Sequence, residues 1–214
     1  MPWFYYATVL LLKGIFRFFT CLRVNGCENI PECGPVLIVS NHLSNADPPL
    51  LGVCLNREVK FMAKEELFRF RPFGYLITGF GAFPVRRGRL DRQALRKSYQ
   101  VLNEKAMLVM YPEGTRSLDG KLRAALSGPA LIAVRSGVPL LPIGISGTEK
   151  IRGITWGIRR PRITVNVGEV FYLPVVKGRV NKPELTEYTN MIMDNIANLL
   201  PSEYRGDYGN KEGK

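Results

Sequence analysis

Short runs of apolar, β-branched residues alternate along the chain with stretches whose apolar positions recur at helical spacing. Val36–Val39 is continuous and apolar, the mark of a strand buried on both faces. Val59–Ala63, Ala82–Val85, Met107–Tyr111 and Leu140–Ile145 read as further strands. Ile163, Val165 and Val167 alternate with Thr164 and Asn166, which predicts a half-exposed strand. Asp47 followed by Pro48 is a helix start, with Asp as N-cap and Pro at the first helical position. Asp91 caps a predicted helix to Leu102, and its Ala94, Leu95, Ser98 and Leu102 share one face. Pro129–Ser136 is a short helix stopped by Gly137. Tyr188, Met191, Ile192, Ile196 and Leu199 mark a last amphipathic helix before Pro201. Strands alternating with helices predict an α/β fold with a mostly parallel central sheet flanked by helices.

The first apolar run is different. Trp3–Leu12 is almost wholly apolar, with four aromatics at one end, and Lys13 and Arg17 then interrupt it. A helix that spans a bilayer needs ~20 consecutive apolar residues, and this run is about half that length. Aromatic rings sit well at the headgroup boundary, and Lys13 and Arg17, four apart, share a helical face. Residues 1–24 are therefore expected to form an interfacial helix that seats the protein on the cytoplasmic face of the cell membrane. Deleting them should release a soluble protein. A buried core helix is the competing reading of the same residues, and a tilted full span with snorkelling Lys13 and Arg17 is a third. The turn cluster Pro31–Pro35 follows, residues 25–202 are expected to form the main domain, and residues 203–214 a flexible charged tail.

Composition changes the picture mainly through charge. Over 214 residues, 46% are hydrophobic and 22% charged, ordinary for a globular domain, but the formal net charge is +12. Such a surplus calls for an anionic partner: nucleic acid, anionic lipid headgroups or a phosphorylated substrate. Cys21, Cys27, Cys33 and Cys54 contain no CxxC pair, and the single histidine cannot complete a zinc set. They read as reduced, buried thiols, and no metal is expected.

Candidate chemistry gathers after the predicted strands, where open α/β sheets place their ligands. His42 follows the first of these strands and is one turn away from Asp47. Histidine suits general-base work near neutral pH, and a carboxylate can fix its tautomer and stabilise the imidazolium. The same two residues also read as a strand end and a helix cap, and spacing alone does not separate the two. Tyr111–Ser117 follows another strand. Its Gly114 permits a tight turn with free N–H groups, and Thr115, Arg116 and Ser117 are donors suited to an oxyanion. Arg86 and Arg87 end the Ala82–Val85 strand as forks matched to phosphate oxygens, and a solvated charge pair is the competing reading of both. Val138–Gly144 reads equally as groove wall or core. Gly144–Thr148 imitates a GxSxG nucleophile elbow but has Thr148 in place of the last glycine, so a serine hydrolase is excluded.

Asn41-His42-x-Ser44-x-x-Asp47 resembles the HX4D block of the glycerolipid acyltransferases, specifically the bacterial 1-acyl-glycerol-3-phosphate acyltransferases. Phe83–Gly88, Pro112–Ser117 and Val138–Pro142 are similar to that family's next three blocks, in the family's order. The resemblance runs from about Asn25 to Val170. It implies that His42 is the general base and Asp47 its orienting partner. It further implies that Arg87, Glu113, Gly114, Thr115 and Arg116 bind the acceptor's phosphoglycerol head. The implied reaction moves a fatty acyl group from acyl-CoA or acyl carrier protein, as co-substrate, to the sn-2 hydroxyl of lysophosphatidate, with no cofactor. The implied fold is the α/β sheet beside an N-terminal helical membrane-binding motif, on an anionic phospholipid surface. Two positions depart from the family pattern. Arg86 stands where an acidic residue is usual, and Ala125–Gly128 where Phe-Lys-x-Gly is usual.

The acceptor stays open among lysophosphatidate, glycerol 3-phosphate and other lysophospholipids, and so does the donor. Outside catalysis, a basic nucleic-acid binder fits the charge. However, the chain shows no helix-turn-helix, finger or RNP signature, so no nucleic-acid partner is expected. A non-catalytic membrane module would leave His42 and Asp47 without a purpose.

Overall fold

The computed structural model describes residues 2–86, 91–153, 155–176, 178 and 180–209. Seven strands form one sheet: β1 (Cys21–Asn25), β2 (Val36–Ser40), β3 (Val59–Lys64), β4 (Ala82–Val85), β5 (Met107–Met110), β6 (Leu140–Ser146) and β7 (Arg162–Val167). Their order is β1-β7-β6-β2-β5-β3-β4, with every neighbouring pair parallel except β6 and β7. The helices are α1 (Pro2–Phe19), α2 (Asp47–Cys54), α3 (Arg71–Gly79), α4 (Arg92–Asn103), α5 (Gly128–Ser136), α6 (Trp156–Arg159) and α7 (Lys182–Asn198).

The apolar run of β2 is continuous because helices cover both faces of the sheet. Leu37 and Val39 point into a core with α4, α5 and α7, through Leu102, Ile132 and Ile196. Val36 and Ile38 point the other way, against Leu50 and Leu51 of α2 and Tyr5 and Phe16 of α1. Two-residue alternation thus divides one strand between two cores. The Leu140–Ile143 segment is wholly buried in β6, so it is core rather than groove wall.

Helix α1 has a buried face, as the core-helix reading expects, and an opposite face that is exposed. Tyr5 is buried, its ring stacked 5.3 Å from Phe80, and its hydroxyl accepts from Val59 N–H at 3.2 Å. Trp3, Tyr6, Leu10, Lys13 and Arg17, spaced by three and four, form an outward stripe, apolar first and basic last. Among the described residues no helix is long and apolar enough to cross a membrane. Cys21–Asn25, inside the segment expected to be interfacial, is the edge strand β1 paired with β7. Deleting residues 1–24 would therefore strip a strand and two buried aromatics from the fold, which corrects the expectation of simple release.

Other differences are local. The chain beyond Pro201 is not free: Ser202–Tyr204 and Gly206–Gly209 are 3-10 turns, and Tyr204 and Tyr208 pack against the core. Residues 210–214 lie outside the described residues. Cys21, Cys27 and Cys33 are exposed, and only Cys54 is buried, its thiol pushed up to about 12 by burial. Helix α7 begins earlier than its apolar repeat, at a capping box of Asn181 and Glu184.

Candidate active site

Strands β2 to β6 run parallel to one another, so their carboxyl ends lie along one edge of the sheet. The first residue past β2, Asn41, donates to Ile145 O and accepts from Ile145 N–H, both at 2.8 Å, prolonging the β2–β6 pairing by one step. That bridge sets where the turn after β2 begins.

The turn folds around the Asp47 carboxylate. Leu43 and Ser44 donate their N–H groups to Oδ2 at 2.7 and 2.8 Å, and His42 Nδ1 lies 2.7 Å from the same oxygen. Thr148 Oγ1 donates to Oδ1 at 2.6 Å. Asp47 is fully buried, and these four donors compensate its desolvation. It is the first helical residue of α2, with Ala46 as the cap, so it braces the preceding turn instead of capping the helix. The positive end of the α2 dipole adds to its stabilisation.

His42 is 5% exposed, and Nε2 has no hydrogen-bond partner among the described residues. The Nδ1 contact to a carboxylate makes that nitrogen the protonated one, leaving Nε2 free to accept a proton. Tyr111 stacks on the imidazole at 4.1 Å and 17°, and its buried hydroxyl has no hydrogen-bond partner among the described residues. Burial, with the Asp47 charge behind it, holds that hydroxyl well above its usual pKa.

Glu113, also buried, stands behind the histidine. Its Oε1 accepts from His42 N–H at 2.9 Å and its Oε2 from Arg123 N–H at 3.1 Å. Burial pushes its pKa up to about 7 against the pull of these two bonds. The loop is tied to the histidine once more, because Ser117 N–H donates to His42 O at 2.7 Å. Gly114 has φ +68°, and a Cβ there would meet Leu126, so the turn requires glycine. Thr115 and Arg116 are exposed, and their N–H groups have no protein acceptor among the described residues.

Of the expected site residues, the structure brings together His42, Asp47 and Glu113, with Gly114, Thr115 and Arg116 on the adjoining loop. Arg87 lies outside the described residues. Arg86 pairs with Glu65 at 2.7 Å, as a surface charge. Beside Tyr111 opens a cavity of about 440 Å³, lined mainly by Met62, Val85, Leu95, Met110, Leu126 and Pro129, with Arg86 and Asp91 at its edge. Thr148 was missed as a site residue. Its signal was a hydroxyl just past a strand end, after Gly147 at φ +91°, where a Cβ would strike the Arg162 carbonyl.

A family model for acyltransferases matches residues 21–146, more than half of the chain. The chain belongs to the acyltransferase family. It is similar to a chloroplastic 1-acyl-sn-glycerol-3-phosphate acyltransferase of Arabidopsis thaliana, 33% identical over 141 residues, covering 64% of this chain and 39% of that one. The 1-acyl-sn-glycerol-3-phosphate acyltransferase of Streptococcus pneumoniae is 30% identical over 166 residues, covering 76% and 60%. This chain thus spans 39% and 60% of the length of these curated relatives. The crystal structure of the Thermotoga maritima 1-acyl-sn-glycerophosphate acyltransferase matches with a TM-score of 0.66 and 29% identity, over 90% of this chain and 80% of that one. The family match ends at β6, and the structural match extends the shared fold over most of the remainder.

Proposed function

We propose that the chain transfers a fatty acyl group from an acyl thioester to the sn-2 hydroxyl of 1-acyl-glycerol-3-phosphate, giving phosphatidate. The observation that carries this reading is the His42–Asp47 pair at 2.7 Å, with Nε2 unpartnered among the described residues. In the proposed reaction Nε2 removes the hydroxyl proton as the acceptor oxygen attacks the thioester carbonyl. Asp47 steadies the imidazolium that forms. The tetrahedral intermediate collapses by breaking the C–S bond, and the departing thiolate takes the proton back. General-base assistance of this kind is worth ~10²–10⁴ in rate. No covalent enzyme intermediate is required.

The acceptor's phosphate is assigned to Arg116 and to the N–H groups of Thr115 and Arg116, which have no protein acceptor among the described residues, and, by family resemblance, also to Arg87. Glu113, with both oxygens on backbone N–H groups, acts as a brace for His42. The apolar cavity beside Tyr111 suits a hydrocarbon chain. The outward stripe of α1 seats the protein on an anionic membrane surface, with Lys13 and Arg17 toward headgroups. Acyl-CoA and acyl carrier protein both supply the required thioester.

The test is mass spectrometry of products from lysophosphatidate, glycerol 3-phosphate and other lysophospholipids, each with both donors. Phosphatidate from lysophosphatidate, lost in a folded His42→Ala protein, supports the assignment. Normal turnover by His42→Ala overturns the mechanism, and preference for another acceptor overturns the substrate.

A further inference from the structure

We infer that the segment following β3, Glu65–Gly79, forms with α1 one continuous docking face for an anionic lipid bilayer. The inference rests on the reading of α1 as a membrane seat and adds a second element to it.

Helix α3 buries only Gly74 among its nine residues. An isolated helix below ~12–15 residues is marginal in water, so one this short needs a surface to pack against. The protein supplies little. Leu67, Phe70, Phe73, Tyr75 and Leu76 are all between 41% and 71% exposed. Phe73 and Leu76, three apart, share a helical face, and Phe70 precedes them at the helix start. Single exposed apolar residues are ordinary, but five within ten positions form a patch that calls for a partner.

Contact with α1 joins the two surfaces. Phe4 lies against Gly79, where even a Cβ would collide with its ring, and Tyr5 stacks on Phe80. The α1 side offers Trp3, Tyr6, Leu10 and Leu11, so aromatic and aliphatic groups continue across the junction.

Charge selects the partner. Glu66 is paired with Lys64 at 3.3 Å and Glu65 with Arg86, so the acidic residues here are already neutralised. Arg69 and Arg71 are exposed and make no ion pair among the described residues, and the same holds for Lys13 and Arg17. Apolar groups flanked by unpaired cations match the headgroup boundary of an anionic bilayer. Position agrees: Glu65 begins at the carboxyl end of β3 and grips Arg86, which lines the apolar cavity. A bilayer docked on this face would lie at the cavity's edge.

Hydrogen exchange of the full wild-type chain tests this directly, with phosphatidylglycerol vesicles, with phosphatidylcholine vesicles and with none. Exchange over 67–79 should slow about tenfold or more with phosphatidylglycerol, together with α1, and less with phosphatidylcholine. Slowing of α1 alone would overturn the inference and leave the α1 seat standing; no slowing in either would overturn both. A Phe70→Ser, Phe73→Ser, Leu76→Ser protein should partition onto phosphatidylglycerol vesicles about tenfold less. Its turnover of a short-chain, water-soluble acceptor should stay within about twofold of wild type. Unchanged partition would refute the docking face. Protection over 67–79 in a wild-type chain inactive on every acceptor would uphold the face and sink the proposed activity.

Discussion

Thr148→Val should weaken both the fold and the turnover, by an amount that the structure bounds. Valine keeps the side chain's shape and removes only the hydroxyl that donates to Asp47 Oδ1 at 2.6 Å. Both residues are fully buried, so no water replaces the donor without rearrangement, and Oδ1 is left without a partner among the described residues. A hydrogen bond to a charged group is worth ~1.5–3 kcal/mol. Unfolding in urea should therefore register a loss of that order. If the same energy is felt in the transition state, kcat falls ~10–100-fold. It should not fall as far as His42→Ala, because the His42 contact and the two backbone donors all use Oδ2, which Thr148 does not touch. Thr148→Ser keeps the donor and should keep most of the turnover. A double-mutant cycle makes the test specific: on an Asp47→Ala background, which leaves Thr148 nothing to bond at that position, the further cost of Thr148→Val should shrink to under ~0.5 kcal/mol. Equal cost on both backgrounds, or a Val protein with wild-type kcat, would show that the hydroxyl does not act through Asp47.

Glu113→Gln should flatten the pH dependence of stability. The folded-state pKa of about 7 exceeds the ordinary 4.5, so between them the folded chain holds a proton that the unfolded chain has released. This contribution is complete below about 4.5 and is lost as pH rises through about 7, amounting to ~3 kcal/mol. Urea titrations at pH 4.5 and 8 should show the wild type losing about that much more than the Gln variant, and parallel curves would refute the assignment. Arg116→Ala should chiefly raise the acceptor KM by ~10–100-fold and Arg116→Lys should recover part of it, whereas steady-state kinetics unchanged in the Ala protein would remove Arg116 from the phosphate site. Phe16→Ala should cost ~3–5 kcal/mol in urea unfolding, while Leu10→Ser on the outward stripe of the same helix should stay within ~0.5 kcal/mol.

What the sequence made legible follows from how local each signal is. The β2 run is apolar throughout because both faces are covered, and Asp91 announces its helix by accepting from Gln93 and Ala94 N–H. The His42–Asp47 contact was half legible: five residues and one turn permit it, but the same spacing also fits a strand end and a helix cap. Strand β1 was not: Cys21–Asn25 alternates exposed and half-buried side chains at the sheet's edge, so little apolar pattern marks it. Helix α3 escaped because it has almost no buried face to impose a helical period. Thr148 lies 101 positions from its carboxylate partner, and only the β2–β6 pairing brings the two together. The aromatic run of α1 gave competing readings because it has two faces, one against Phe80 and one toward solvent.

Parallel pairing explains why the site needs so few long-range contacts. Because β2, β5 and β6 run the same way, the residues just past each strand meet at one edge: His42 after β2, Glu113 after β5 and Thr148 after β6. Each joins the pair from a different side. Glu113 holds the histidine's backbone, Tyr111 covers its ring, and Thr148 holds the far oxygen of Asp47. The imidazole is thus constrained at its backbone, its face and its Nδ1, and Nε2 alone is left unpartnered among the described residues. Preorganisation of this kind is what a general base requires, because proton transfer needs the acceptor nitrogen within hydrogen-bond reach of the attacking hydroxyl. The same edge also receives the ends of β3 and β4, where Glu65 pairs with Arg86 at the rim of the apolar cavity. Tyr111 lines that cavity and stacks on the His42 ring, so a hydrocarbon chain held there would lie on the far side of Tyr111 from the imidazole.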